Sequence, residues 1–268
     1  MEFGRDGRTV FAATGGADFE PKRPVVVFLH GAGMDHSVWT LQARYFAHHG
    51  KSVLALDLPG HGRSHGPAPA SIEAYADWLA ALIAAAGVER ATLVGHSMGA
   101  LIALETAAQA PERVRALALL GVAARMPVHP DLLAAAERGD PAAIELITAW
   151  AYGKPAHLGG HKAPGLWMLG GGRRLLERSR AGVLANDLRA CDAYGGALAA
   201  AARVSAPTLF LLGALDRMTP PKAAEPLLAA LRGAKSITLQ GAGHMMMVES
   251  PDATLAALRD FLRAAPGP

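Results

Sequence analysis

The sequence predicts a doubly wound, mostly parallel α/β sheet with an inserted helical cap. Short apolar, β-branched runs alternate with helix-like runs, the pattern expected when helices cover both faces of a parallel sheet. The runs are continuously apolar, as in Val25-Val26-Val27-Phe28-Leu29, so these strands are expected to be buried on both faces. Between the runs ending at Leu120 and starting at Thr208 lies a segment far longer than one crossover helix needs. The expected division is a core of residues 1–122 and 207–268, with a helical cap, 123–206, between two core strands.

In chain order, Thr9–Ala13 reads as an edge strand and Val25–Leu29 as a central one. A helix is expected from Trp39 to His49, then a strand over Ser52–Leu56. Ser71 can N-cap a helix over Ile72–Ala86 that Gly87 closes. Strands over Ala91–Val94 and Ala116–Leu120 flank a helix that begins near Ala100 and ends by Pro111. In the cap, helices are expected near Asp131–Glu137, Pro141–Ala151, Arg173–Arg180 and Gly195–Ala202, with breaks at Gly159-Gly160 and Gly170-Gly171-Gly172. A strand at Thr208–Leu212, a helix over Pro221–Leu231, a strand at Ser236–Leu239 and a helix over Ala253–Arg263 complete the core.

Composition narrows the classes of function. The chain has 268 residues, 51% of them hydrophobic and 18% charged, so a large core is expected and disorder is not. The net charge of +3, from 26 basic and 23 acidic residues, is too mild for a nucleic-acid partner. Cys191 is alone, so no disulfide forms within the chain. Met1–Gly7 has no apolar signal core, and no apolar run reaches membrane-spanning length. A cytoplasmic protein without a membrane partner is therefore expected; oligomeric state is not legible.

The chemistry centres on Gly95-His96-Ser97-Met98-Gly99, which stands between a strand and a helix. That context makes Gly-X-Ser-X-Gly a nucleophile elbow, a sharp turn that lifts the serine hydroxyl clear of the sheet. A serine hydroxyl is a weak nucleophile at neutral pH and needs a base, which in turn needs an orienting acid. Asp216 and His244 each lie just past the end of a later strand, in the chain order Ser, Asp, His. Ser97 is thus expected as nucleophile, His244 as general base and acid, and Asp216 as orienter. Asp131, Asp187 and Asp192 are rival acids within the cap, with Asp131 the best placed. The oxyanion donors are expected to be the N–H groups of Met98, after the nucleophile, and Ala32, in the loop after the first central strand. His30, His61, His96 and Asp57 are read as structural, and Arg63 and Ser64 as ties that hold their loop.

These motifs resemble the α/β-hydrolase fold superfamily, and within it the capped enol-lactonase-like and bromoperoxidase-like serine hydrolases. The resemblance runs along nearly the whole chain. It is carried by His30-Gly31-Ala32-Gly33, Asp57-Leu58-Pro59-Gly60-His61-Gly62-Arg63-Ser64, the serine pentapeptide, Gly213-Ala214-Leu215-Asp216 and Gly243-His244. It implies cofactor-free, metal-free cleavage of a small carboxylic ester or lactone. A C–C bond hydrolase, a haloperoxidase-type activity and a non-turnover ligand receptor are the alternatives, because the superfamily holds many activities. The cap is expected to line the substrate pocket, with Trp150, Trp167, Tyr194 and Met245 as its binding residues. Arg173, Arg174, Arg178, Arg180 and Arg189 give the cap a positive bias that reads as a solvated face, or as a means of capturing a carboxylate-bearing substrate.

Overall fold

A computed structural model describes residues 1–5, 8–159 and 167–264; Gly160, expected to help break a helix, lies outside them. The strands are β1 (Glu2–Arg5), β2 (Arg8–Ala13), β3 (Val25–Leu29), β4 (Ser52–Leu56), β5 (Ala91–His96), β6 (Val114–Leu120), β7 (Thr208–Gly213) and β8 (Lys235–Leu239). They form one sheet in the order β1-β2-β4-β3-β5-β6-β7-β8. β1 pairs antiparallel with β2, and β2 with β4; every other pairing is parallel.

Every residue of β3, β4, β5 and β7 is buried, as their unbroken apolar sequences require. Alternate side chains serve opposite faces: Val25, Val27 and Leu29 join one apolar cluster, Val26 and Phe28 the other. The first face is covered by α2 (Ile72–Ala85) and α3 (Met98–Gln109), the second by α1 (Thr40–Ala47) and by the helix near the chain's end, Pro251–Ala264. The Ser71 hydroxyl caps α2 by accepting the Ala74 N–H at 3.2 Å, as its sequence position suggests.

Between β6 and β7 the described chain is helical: α4 (Pro130–Glu137), α5 (Ala142–Ala151), α6 (Lys154–His157), α7 (Met168–Glu177), α8 (Val183–Ala193) and α9 (Ala197–Ala201). α10 (Pro221–Ala230), α11 (Met246–Glu249) and α12 (Pro251–Ala264) follow, with α12 packing beside α1. Three expectations need correction. Gly170, Gly171 and Gly172 do not break a helix; they lie inside α7. A Cβ on Gly170 would strike the Trp167 ring, and one on Gly172 the Tyr152 hydroxyl, so these two glycines serve close packing. α8 is a full helix where none was expected. α9 packs against α3, with Ala197, Ala200 and Ala201 buried in the same cluster, so its place is in the core layer.

β3 leads on to β4 on one side and its neighbour β5 leads on to β6 on the other, so the connections after these two adjacent strands run in opposite directions. A doubly wound sheet opens a crevice at such a point, outside the carboxyl ends of its strands. The loop after β3 and the turn after β5 flank it.

Candidate active site

Ser97 is the entire connection between β5 and α3. It has φ +54° and ψ −118°, the one positive φ at a non-glycine among the described residues. Such a backbone costs about 1–3 kcal/mol and persists only where its surroundings hold it. Here the Ser97 N–H donates to the Leu120 carbonyl at 2.9 Å, and the Ser97 carbonyl accepts the Ala100 N–H at 2.9 Å. A Cβ on Gly95 would meet the Gly99 carbonyl, and one on Gly99 would lie 2.5 and 2.6 Å from the carbonyl oxygens of Leu29 and His30. Both glycines are thus dictated by how tightly strand, turn and helix cross.

His244 follows β8, and its Nδ1 faces Asp216 Oδ2 at 2.8 Å. With a carboxylate there, Nδ1 carries the proton and donates it. His244 Nε2 is buried and has no hydrogen-bond partner among the described residues. Asp216 is held in turn: Oδ1 accepts the Met218 and Thr219 N–H groups, each at 2.8 Å, and Oδ2 accepts the Thr219 hydroxyl at 2.8 Å. Burial alone would raise the Asp216 pKa. His244 and the Thr219 donors outweigh it and hold the carboxyl below its ordinary value. Thr219 was not singled out in the sequence, although an aspartate accepting N–H groups two and three residues on is a recognisable turn signal. The His244 loop is pinned from the inserted helices as well. The Ala151 carbonyl accepts the His244 N–H at 2.7 Å, and Glu249 accepts N–H groups from Gly153, Gly243 and Met245.

The elbow histidine, His96, presents Nε2 to the His244 carbonyl at 3.0 Å. Burial and then the nearby His244 ring hold its pKa well below the ordinary value, so it stays neutral and positions the loop. His30 is also neutral: Nδ1 donates to the Gly31 carbonyl at 2.8 Å and Nε2 accepts the Leu58 N–H at 3.1 Å. Burial, and after it His61, lowers its pKa to about 4.

The loop after β3 carries Ala32, and its conformation is set by a residue that the sequence offered only as a rival acid. Asp187, on α8, is completely buried and accepts the Gly33 N–H at 2.9 Å, the Tyr75 hydroxyl at 2.9 Å and His61 Nε2 at 2.7 Å. His61 Nδ1 faces a second acceptor, the Pro59 carbonyl, at 3.0 Å. Two acceptors call for a doubly protonated ring, so His61 and Asp187 form a buried ion pair that latches α8 to the core. Nothing local in the sequence foretells it, because the partners lie 126 residues apart.

Burial works against protonation of His61, but the Asp187 hydrogen bond and charge prevail and raise its pKa. A raised folded value means that the latch stabilises fully below the unfolded histidine value of about 6.5. It weakens as pH rises through the folded value. Asp187→Asn is therefore expected to cost about 3 kcal/mol or more at pH 6, as removal of one partner of a buried pair does. In thermal melts of wild type and variant, the gap between them should narrow from pH 6 to pH 9. A gap that stays constant would show that the pair is not charged.

Ser97, His244, Thr219 and Ala32 line one cavity of about 320 Å³. Most of its remaining wall is apolar, including Met126, Leu132, Ile147, Trp150 and Leu188 from the inserted segment. Of the four expected binding residues, Trp150 lines it. Trp167 does not: it is 72% exposed on the outer surface beside α7. Tyr194 packs in the core against α3 and donates its hydroxyl to Glu105, so its bulk serves the fold. Met245, the residue after His244, is buried in the second apolar cluster and is absent from the cavity wall. The other rival acids stand elsewhere: Asp131 has an 85% exposed side chain, and Asp192 accepts the Val128 N–H. Asp35, His36 and Asp57 cluster closely enough to hold a cation, but the protein already engages them. Arg178 pairs with Asp35 at 3.1 Å, and Asp57 takes the His36 ring and the N–H groups of His36 and Arg63.

Comparison with known proteins gives a consistent picture. The model of the alpha/beta hydrolase family matches residues 26–258. A pimeloyl-[acyl-carrier protein] methyl ester esterase of Neisseria meningitidis serogroup A is 32% identical over 224 residues, covering 78% of this chain and 68% of its own length. RutD of Klebsiella pneumoniae subsp. pneumoniae, whose name assigns it carbamate hydrolysis, is 31% identical over 258 residues, 91% of this chain and 93% of its own. In fold, the enol-lactonase of Burkholderia xenovorans LB400 superposes with a TM-score of 0.86 at 24% identity, over 98% of this chain and 100% of that one.

Proposed function

The chain belongs to the alpha/beta hydrolase family, and we propose that it is a serine hydrolase cleaving a small carboxylic ester or lactone through an acyl-enzyme intermediate. The observation that carries this reading is the arrangement around His244: Nδ1 engaged by a fixed carboxylate, Nε2 buried and unpartnered, and Ser97 on the same cavity. In the reaction, His244 Nε2 takes the Ser97 proton as Oγ attacks the carbonyl carbon, then gives it to the leaving alkoxide. Water, deprotonated in its turn by His244, releases the acid. Asp216 keeps the imidazole in the accepting tautomer and stabilises the imidazolium. The oxyanion is taken by the N–H groups of Met98, in the partnerless first turn of α3, and of Ala32. The inserted segment acts as the cap: Met126, Pro127 and Val128 together with α4, α5 and α8 supply most of the apolar wall.

Support for ester chemistry comes from the esterase named among the relatives; the carbamate hydrolase keeps a second acyl class in view, since a carbamate presents the same carbonyl to the same nucleophile. The test is a panel of short aryl and methyl esters, small lactones and carbamates, with products identified. Steady turnover of esters or lactones is expected. Carbamate turnover alone would move the assignment to that class, and C–C cleavage or halogenation products would replace it. Binding without turnover would make the chain a receptor.

A further inference from the structure

The cavity is apolar and holds no aspartate or glutamate among the described residues that line it, yet one full cation stands on its wall: Arg217. The residue is exposed and has no ion pair or hydrogen bond to the protein among the described residues. Its neighbour Asp216 cannot serve as counter-charge, because both carboxylate oxygens are committed, Oδ1 to two N–H groups and Oδ2 to Thr219 and His244. Those same bonds fix the backbone on either side of Arg217, so its side chain extends from a rigid turn. The arginines of the inserted segment offer no substitute. Arg173 pairs with Glu145 and Glu177, Arg174 with Glu177, Arg178 with Asp35 and Arg189 with Glu137, while Arg180 donates to the carbonyls of Gly62 and Ser64. None of these five lines the cavity. The expectation that they capture an acidic substrate fails for that reason, and the positive charge available to a substrate is Arg217, next in sequence to the acid that orients His244.

We propose that Arg217 binds an anionic group on the substrate, so that the preferred substrate is an ester whose acyl part bears a carboxylate remote from the scissile bond. This rests on the ester-hydrolase reading and adds the substrate class to it. A guanidinium presents paired donors that match a carboxylate in the plane of both groups. The apolar wall favours the methylene chain between the two carbonyl carbons. Because Arg217 is solvent-exposed, its contribution is modest and screened by salt.

The test compares monomethyl esters of straight-chain dicarboxylic acids with methyl esters of monocarboxylic acids of equal chain length. Wild type is expected to favour the acid-bearing ester in kcat/KM, less strongly as salt is raised. In Arg217→Gln the ratio of the two kcat/KM values should fall roughly three- to fivefold, mainly through KM, with Arg217→Lys in between. Calorimetry of free dicarboxylic acid binding to the wild type and to Arg217→Gln reads the same contact without turnover, and the wild type should bind more tightly. An unchanged ratio and unchanged diacid binding would overturn the role of Arg217 while leaving ester hydrolysis standing. Loss of every Ser97-dependent ester activity would overturn the underlying reading, and the diacid measurement would still decide on Arg217.

Discussion

Ser97→Ala is expected to lower kcat for any ester substrate by roughly 10⁴–10⁶-fold, the range seen when a triad nucleophile is removed. The fold should survive. Alanine keeps the Cβ that the serine already carries at φ +54°, so no new backbone strain arises, and the N–H and carbonyl bonds to Leu120 and Ala100 are untouched. What disappears is the hydroxyl that the end of β5 presents on the cavity wall that His244 also lines. Circular dichroism and melting temperature close to wild type, with steady-state turnover lost, is the outcome to look for. Turnover within tenfold of wild type would require another nucleophile or a directly activated water.

Asp216→Asn is expected to lower kcat by roughly 10²–10⁴-fold; in the serine-protease precedent the equivalent change costs about 10⁴-fold. The geometry explains why a nearly isosteric change is so costly. One oxygen can still accept the Met218 and Thr219 N–H groups at 2.8 Å, which fixes the orientation of the side chain. That leaves the NH₂ group where Oδ2 was, against the Thr219 hydroxyl and His244 Nδ1. An NH₂ donor cannot accept the Nδ1 proton, so the ring turns to the tautomer that holds its proton on Nε2 and cannot take one from Ser97. Asp131→Asn, at an exposed position of α4, should change kcat by less than about tenfold. Steady-state kinetics of the two variants decides the matter, and the opposite ranking would assign the acid to Asp131.

Much of the sheet was legible because its strands are buried on both faces. Val25–Leu29 and Ser52–Leu56 stand at the positions their continuous apolar runs mark. β1 was not legible: Glu2-Phe3-Gly4-Arg5 carries no such run and is a strand only because it pairs antiparallel with β2 at the sheet edge. Strand ends can also be read from sequence: Ser97, Asp216 and His244 stand out there, and the structure puts Ser97 and His244 on one cavity wall and His244 against Asp216. The inserted helices were less readable. Bulk alone cannot distinguish a cavity wall such as Trp150 from a surface ring such as Trp167 or a core contact such as Tyr194. α8 hid for a related reason. Its centre carries Asn186 and Asp187, polar residues whose partners, Pro69, His61, Tyr75 and Gly33, come from distant parts of the chain.

The account stands on covalent chemistry at Ser97, and a fluorophosphonate probe measures it directly. The purified protein is titrated with the probe while ester turnover is followed, and the labelled peptide is located by mass spectrometry. The prediction is one adduct per chain, on Ser97, with turnover falling in proportion to labelling and with labelling strongly slowed in Asp216→Asn. An adduct on another residue, or turnover that persists after Ser97 is fully labelled, would contradict it.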